Sequence, residues 1–243
     1  MMKIVCVIPA RAESSRFFEK PLAIILGKPM IQWVYEHCCA VPEFQDTYVA
    51  TDSEKIKSVA ESFGAKVVMT RSDHDTATER LYEVSTRVEA DLYVMVNGDE
   101  PLLTREAIIQ CLPDHVDEGE MYVSNLMTDF EDPVEVVDAT NLKIVTDSLD
   151  RCLFISRSPI PYPKGNMDYV YHKFVGVGAF NRRALEFYHN TPRGPIEKIE
   201  ENDSFRFIEN QVPIYYYNCH CKSLSVDTRK DIAGVETYLK KAR

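Results

Sequence analysis

The segment at positions 11–20, RAESSRFFEK, sets Arg11, Arg16 and Lys20 beside the hydroxyls of Ser14 and Ser15, directly after the first apolar run. Cations and hydroxyls in one loop suit a phosphate chain, since hydrogen bonds to an ionised acceptor are about twice as strong as neutral ones. A solvated basic turn has the same composition. No glycine-rich phosphate cradle is present: the glycine that a P-loop would carry five positions before Gly27 and Lys28 is Leu22. A second stretch, VNGDEP at 96–101, follows an apolar run with Gly98 and then Asp99. A carboxylate at such a strand end serves a hard cation or starts an Asx turn. A third, SVDT at 225–228, places Asp227 ahead of a charged terminal segment, as a ligand or as a helix cap. Magnesium usually takes one or two protein carboxylates and completes its shell with substrate phosphates, so Asp99 and Asp227 together would be a sufficient protein share.

Those stretches need a scaffold that brings strand ends together, and the apolar periodicity supplies one. KIVCVIPA at 3–10 reads as a buried parallel strand. Ile31, Val34, Tyr35 and Cys38 recur at helical spacing and predict an amphipathic helix over 30–40. Strands at 47–51, 66–70 and 92–96 alternate with helices at 54–63 and 79–88, with Asp52 or Ser53 as a cap and Gly64 as a stop. Such alternation predicts an α/β fold with a mainly parallel sheet and helices on both faces. After a short helix from Thr104, the runs MYVSNLM, LKIV, CLFIS and FVGVGAF make the second half more antiparallel. A helix at 184–189, a charged segment at 197–209, a strand at 212–217 and a terminal helix from Arg229 complete the chain. We expect one domain over 1–243, with an inserted arm at about 150–180. In such sheets ligands sit beyond the carboxyl ends of the strands, where all three polar stretches fall.

Composition narrows the class. A formal charge of −10 argues against a nucleic-acid partner, whose binding draws on neutralised phosphates. No apolar run approaches the roughly 20 residues that span a bilayer, so no membrane partner is expected and the cytoplasm is the expected compartment. The seven cysteines are scattered through apolar segments and read as reduced core residues. Cys219-His220-Cys221 lacks a second ligand pair at zinc spacing, so no metal is assigned there.

Ten segments in order resemble one family, the 3-deoxy-manno-octulosonate (Kdo) cytidylyltransferases: IPARAESSRFFEKPL, GKPMIQWVYE, VATD, MTRSDHDTATERL, VNGDEP, LKIVTD, FISRSPIP, KFVGVGAF, GPIEKIE and SVDTRKDI. The resemblance implies a nucleotidyltransferase fold of Rossmann-like type, CTP as donor, magnesium as cofactor, a sugar-acid acceptor, a homodimer joined through the arm, and a place in lipopolysaccharide or capsule synthesis. It assigns Arg11, Ser14, Arg16 and Lys20 to the phosphate loop, Arg71, Thr76, Thr78 and Glu79 to closure around the base, and Asn97 to the nucleotide site. Asp99 and Asp227 match the metal carboxylates, and Arg157 and Lys173 match cations on the acceptor side. Lys20, Asp99 and Asp227 are thereby the expected catalytic set.

The departures concentrate on the acceptor. Phe174 replaces the family's histidine, and the run Leu-Glu-Gln-Leu-Arg appears as Asn202, Asp203, Ser204, Phe205 and Arg206, which puts Phe174 and Asp203 in the expected acceptor pocket. In the first loop Phe18 and Glu19 replace proline and glycine, Ala77 replaces a glycine, and Asn97 replaces glutamine. Since phenylalanine makes no hydrogen bond, Kdo itself is expected to be a poor substrate. The alternatives are the same reaction on a sialic-acid-like or modified Kdo-like acid, and a non-catalytic nucleotide sensor. A sensor has no need of the leaving-group electrostatics that Lys20, Asp99 and Asp227 would supply.

Overall fold

The computed structural model describes residues 2–12, 17–117, 119–165 and 168–241. The strands are β1 (Ile4–Ala10), β2 (Ile24–Ile25), β3 (Lys28–Pro29), β4 (Phe44–Thr51), β5 (Lys66–Met69), β6 (Leu92–Val96), β7 (Val123–Asp129), β8 (Lys143–Thr146), β9 (Cys152–Ser156), β10 (His172–Asn181) and β11 (Tyr215–Asn218). The helices are α1 (Met30–Cys39), α2 (Glu54–Ser62), α3 (Ala77–Ser85), α4 (Arg105–Ile108), α5 (Pro133–Val137), α6 (Arg182–Asn190), α7 (Pro195–Glu200), α8 (Phe205–Ile208) and α9 (Arg229–Lys241). The main sheet runs β11-β7-β10-β6-β1-β4-β5, and along that path only β10 is antiparallel to its neighbours. β8 and β9 form an antiparallel hairpin hung on the start of β10.

β1 is covered on both sides, and its alternation sorts the core. Cys6 and Ile8 face a cluster with Ile31, Val34 and Cys38 of α1, Ile56 and Ala60 of α2, and Ile108 of α4. Val5 and Val7 face the opposite cluster, with Leu81 and Val84 of α3 and Leu185 and Tyr188 of α6. Period two on the strand thus meets period 3.6 on the helices, giving the expected layers. Ser53 caps α2 by accepting from the Ile56 amide at 3.3 Å, and Gly64 takes φ +86° beyond its end. α3 begins at Ala77, two residues before the sequence reading placed it, because Thr76 is a competent cap.

A third, smaller cluster bears on function. Phe17, Ile25, Met30, Trp33, Leu102, Val226 and Val235 pack together below the first loop. They join that loop, the β2–β3 hairpin, α1, the segment after β6 and both sides of the Asp227 turn. Trp33 donates its indole N–H to the Ile25 carbonyl at 2.9 Å, which fixes the hairpin on α1. Of the arm expected at about 150–180, β9 belongs to the hairpin, whereas β10 runs inside the main sheet between β6 and β7.

Candidate active site

The carboxyl ends of β1 and β6 open on a cavity of about 300 Å³ lined by residues of the first loop, the start of α3, the turn after β6 and Asp227. Its floor depends on a close approach of backbone. A Cβ at Gly98 would lie 3.1 Å from the Pro9 carbonyl oxygen and 3.3 Å from Ile31 Cδ1, so glycine lets the β6 turn rest against β1. The Asn97 amide donates to the Gly176 carbonyl at 2.7 Å, and the Asn97 side chain fills the space where a Cβ at Gly176 would fall.

Lys20, Asp99 and Asp227 converge at the rim of this cavity. Lys20 Nζ is 2.5 Å from Asp99 Oδ2 and 3.5 Å from Asp227 Oδ1, with the lysine side chain 16% exposed. Lys20 opens a short 3-10 turn with Pro21, and the loop before it closes through the Glu19 amide on the Ala12 carbonyl at 3.0 Å. Glu19 holds φ +52°, a conformation that glycine adopts without cost, and it pairs with Lys55. The Val226 amide donates to the Asp99 carbonyl at 2.9 Å, which docks the Asp227 segment on the β6 turn. Asp231, in the first turn of α9, reaches back to accept from the amides of Asp227 and Thr228 through Oδ2, which fixes the chain entering the helix, while Asp227 Oδ1 lies 3.5 Å from Lys20 Nζ.

Buried charge surrounds the trio. Asp99 Oδ1 is buried and has no hydrogen-bond partner among the described residues. Next to it, Glu100 accepts from the Gly176 amide at 3.2 Å and from Ser223 Oγ at 3.0 Å, and burial, with Asp99 close by, pushes its carboxyl up to about 7. On the far wall Thr76 caps α3 by accepting from the Glu79 amide, and its Oγ1 meets Tyr188 Oη at 2.9 Å. His74, Asp75, Thr76 and Ala77 put the positive end of α3 at the cavity, suited to an anion. Arg80, which sequence reasoning missed as a site residue, also lines the cavity and is anchored by Asp52 at 2.8 Å and by Thr70. Its signal was its place in the family-like segment at 69–81, one turn into α3.

A cytidylyltransferase family description matches residues 5–226. The 3-deoxy-manno-octulosonate cytidylyltransferase of Solibacter usitatus is 38% identical over 239 residues, covering 98% of this chain and 95% of the relative. This chain belongs to that family. It is a CTP-dependent nucleotidyltransferase. A solved CMP:2-keto-3-deoxy-manno-octonic acid synthetase complexed with CTP superposes with a TM-score of 0.92 at 34% identity, covering 99% of this chain and 100% of the other. The 8-amino-3,8-dideoxy-manno-octulosonate cytidylyltransferase of Shewanella halifaxensis is 35% identical over 244 residues, covering 98% of this chain and 99% of its own.

The other expected site residues of this cytidylyltransferase fall in different places. Arg11, Thr76 and Asn97 line the cavity. Ser14 and Arg16 lie outside the described residues. Arg71 points outward, paired with Asp73 at 2.8 Å and with two-thirds of its side chain exposed, and is not part of the cavity lining. Arg157 donates to the Glu200, Ala139 and Thr140 carbonyls, and so ties the hairpin to α5 and α7. Lys173 reaches the Ser223 carbonyl at 3.0 Å and Glu135 at 3.3 Å. Phe174 packs edge-on against Tyr216, ring centroids 6.4 Å apart, and is likewise outside the lining. Asp203 accepts from Thr78 Oγ1 at 2.5 Å, and burial pushes its carboxyl above the usual range. Behind it, Arg206 forms a buried bidentate pair with Glu197 at 2.6 and 2.9 Å and lies over the Tyr188 ring.

Proposed function

We propose that this cytidylyltransferase moves CMP from CTP to a 3-deoxy 2-keto octulosonic acid, the anomeric oxygen attacking the α-phosphorus as pyrophosphate leaves. The observation that carries the reading is the meeting of Lys20, Asp99 and Asp227, drawn from three distant stretches, at one cavity. Lys20 supplies a positive charge where the phosphates gain charge in the transition state, the main service that a protein offers to this chemistry. Arg11, Arg80 and the N-terminus of α3 add positive charge to the lining of the same cavity, in a protein that is acidic as a whole.

Magnesium fits the residues present. One ammonium against two carboxylates leaves the trio net negative, which repels a triphosphate unless a cation joins it. Asp99 and Asp227 would hold the ion, and the buried Oδ1 of Asp99, unpartnered among the described residues, is a hard oxygen donor of the right kind. When bound, the ion would offset charge on the phosphates. Among the described residues no three acidic, histidine or cysteine side chains gather, which accords with an ion that draws the rest of its shell from substrate. Asp99→Asn and Asp227→Asn are each expected to lower pyrophosphate release by orders of magnitude at limiting magnesium, with folding retained. Near-normal turnover in either variant would remove that residue from the metal site.

Kdo and its 8-amino analogue are the two acceptors that the relatives' names bring forward, at 38% and 35% identity. The packing of Phe174 against Tyr216 weakens the argument that its lost histidine excludes Kdo. Steady-state kinetics with both acids and CTP decide the acceptor, and efficient use of Kdo that Phe174→His leaves unchanged gives Phe174 a packing role only. The enzyme works as a homodimer in the cytoplasm. Leu149, Leu153, Tyr162 and Val170 expose apolar surface along the hairpin and the chain after it, as an interface requires. Among the described residues no helix is long and apolar enough to cross a membrane.

A further inference from the structure

Cys219 and Cys221 follow β11 on the path to Ser223 and Asp227, and no role in transfer falls to either. Residues two apart on a strand share a face, and here His220, at φ +45°, kinks the chain so that the two sulfurs lie 2.7 Å apart. The two sulfurs are direct neighbours, and a disulfide between them would set them at about 2.05 Å. The pair is pinned at both ends: the Cys219 amide donates to the Met127 carbonyl at 2.9 Å, and the Cys221 carbonyl accepts from Thr128 Oγ1 at 2.8 Å. Both side chains are half-buried, within reach of a small reagent, whereas Cys6, Cys38 and Cys111 are fully buried.

We propose that Cys219 and Cys221 are a reversible dithiol site, closed to an intrachain disulfide by exchange with a low-molecular-weight disulfide such as glutathione disulfide. The two thiols share one hydrogen bond in which either sulfur can donate, so the exchange opens at either one, and the steps are the same with Cys219 first. The Cys219 thiolate attacks one glutathione sulfur and expels the other glutathione as a thiolate. The Cys221 thiolate then attacks Cys219 Sγ, the protein–glutathione bond breaks, and the second glutathione departs. Two protein thiols become one disulfide, one glutathione disulfide becomes two thiols, and the two protons end on glutathione. A bridge across a single intervening residue is strained, and strained, accessible disulfides are the readily reduced ones.

Cys39, exposed, is an internal reference that can take up glutathione in the same chain. The whole protein is held in glutathione buffers of graded oxidation, quenched, alkylated and digested for mass spectrometry. The peptide spanning 207–222 is expected to lose two hydrogens and take up no alkylating agent, at roughly tenfold lower glutathione disulfide than half-modifies Cys39, because the second step is intramolecular. Dithiothreitol should restore both thiols, and Cys221→Ser should retain glutathione on Cys219. Two alkylated thiols where Cys39 is already glutathionylated, or glutathione that persists on wild-type Cys219, would overturn the proposal. Both readouts come from the wild-type protein, so they stand even if the variant does not fold.

Discussion

Removal of the Lys20 ammonium tests the electrostatics of the site most directly. In Lys20→Ala the two carboxylates lose the cation between them, at 2.5 Å for Asp99 and 3.5 Å for Asp227. The Asp99 contact is the stronger half, since Asp227 is 38% exposed and solvent screens its share to below about 1 kcal/mol. In the resting enzyme the loss falls on stability and is on the order of 1.5–3 kcal/mol, the range for a hydrogen bond to a charged group. During transfer the same ammonium faces phosphate oxygens that gain charge, and loss of one preorganised donor of that kind costs about 3–4 kcal/mol. The maximal rate should therefore fall by roughly 10²- to 10³-fold, while apparent CTP affinity changes far less. Pyrophosphate release at saturating magnesium and sugar acid, with CTP varied, separates the two parameters. A loss confined to KM for CTP would show that Lys20 is a ground-state anchor and refute the assignment.

Two further outcomes follow from the packing. Gly98→Ala brings a methyl within 3.1 Å of the Pro9 carbonyl oxygen, a backbone atom that cannot swing aside, so unfolding free energy should drop by about 1–3 kcal/mol and turnover should fall with it; urea denaturation with unchanged stability would mean that β6 shifts freely against β1. Asp203→Asn should raise the melting temperature at pH 7. The folded carboxyl holds its proton more tightly than the unfolded one, so its contribution to stability is present at acid pH and is lost as pH rises through the raised pKa. The advantage of the asparagine variant should accordingly shrink as pH falls through the carboxylate range, and melting curves that keep the same gap at every pH would assign the effect to packing.

Much of the scaffold was legible in one dimension because it rests on local pattern. The β1 run, the α1 stripe and the Ser53 cap each lie within a few residues of chain, so local pattern alone marks them. The resemblance across ten ordered segments pointed to the family to which the chain belongs, and it implies the roles proposed for Lys20, Asp99 and Asp227. That they share one site was expected from the strand ends and the resemblance, but their contacts were not legible, because 79 residues separate Lys20 from Asp99 and the pairing depends on the sheet order and on the cluster of Phe17, Trp33 and Val226. Tertiary packing likewise decided that Asp227 faces Lys20, that Arg157 meets backbone carbonyls, and that Phe174 meets Tyr216. A side chain's type limits which bonds it can make, but which partner it finds is set by segments that only the folded chain brings within 3 Å or so, the reach of a hydrogen bond.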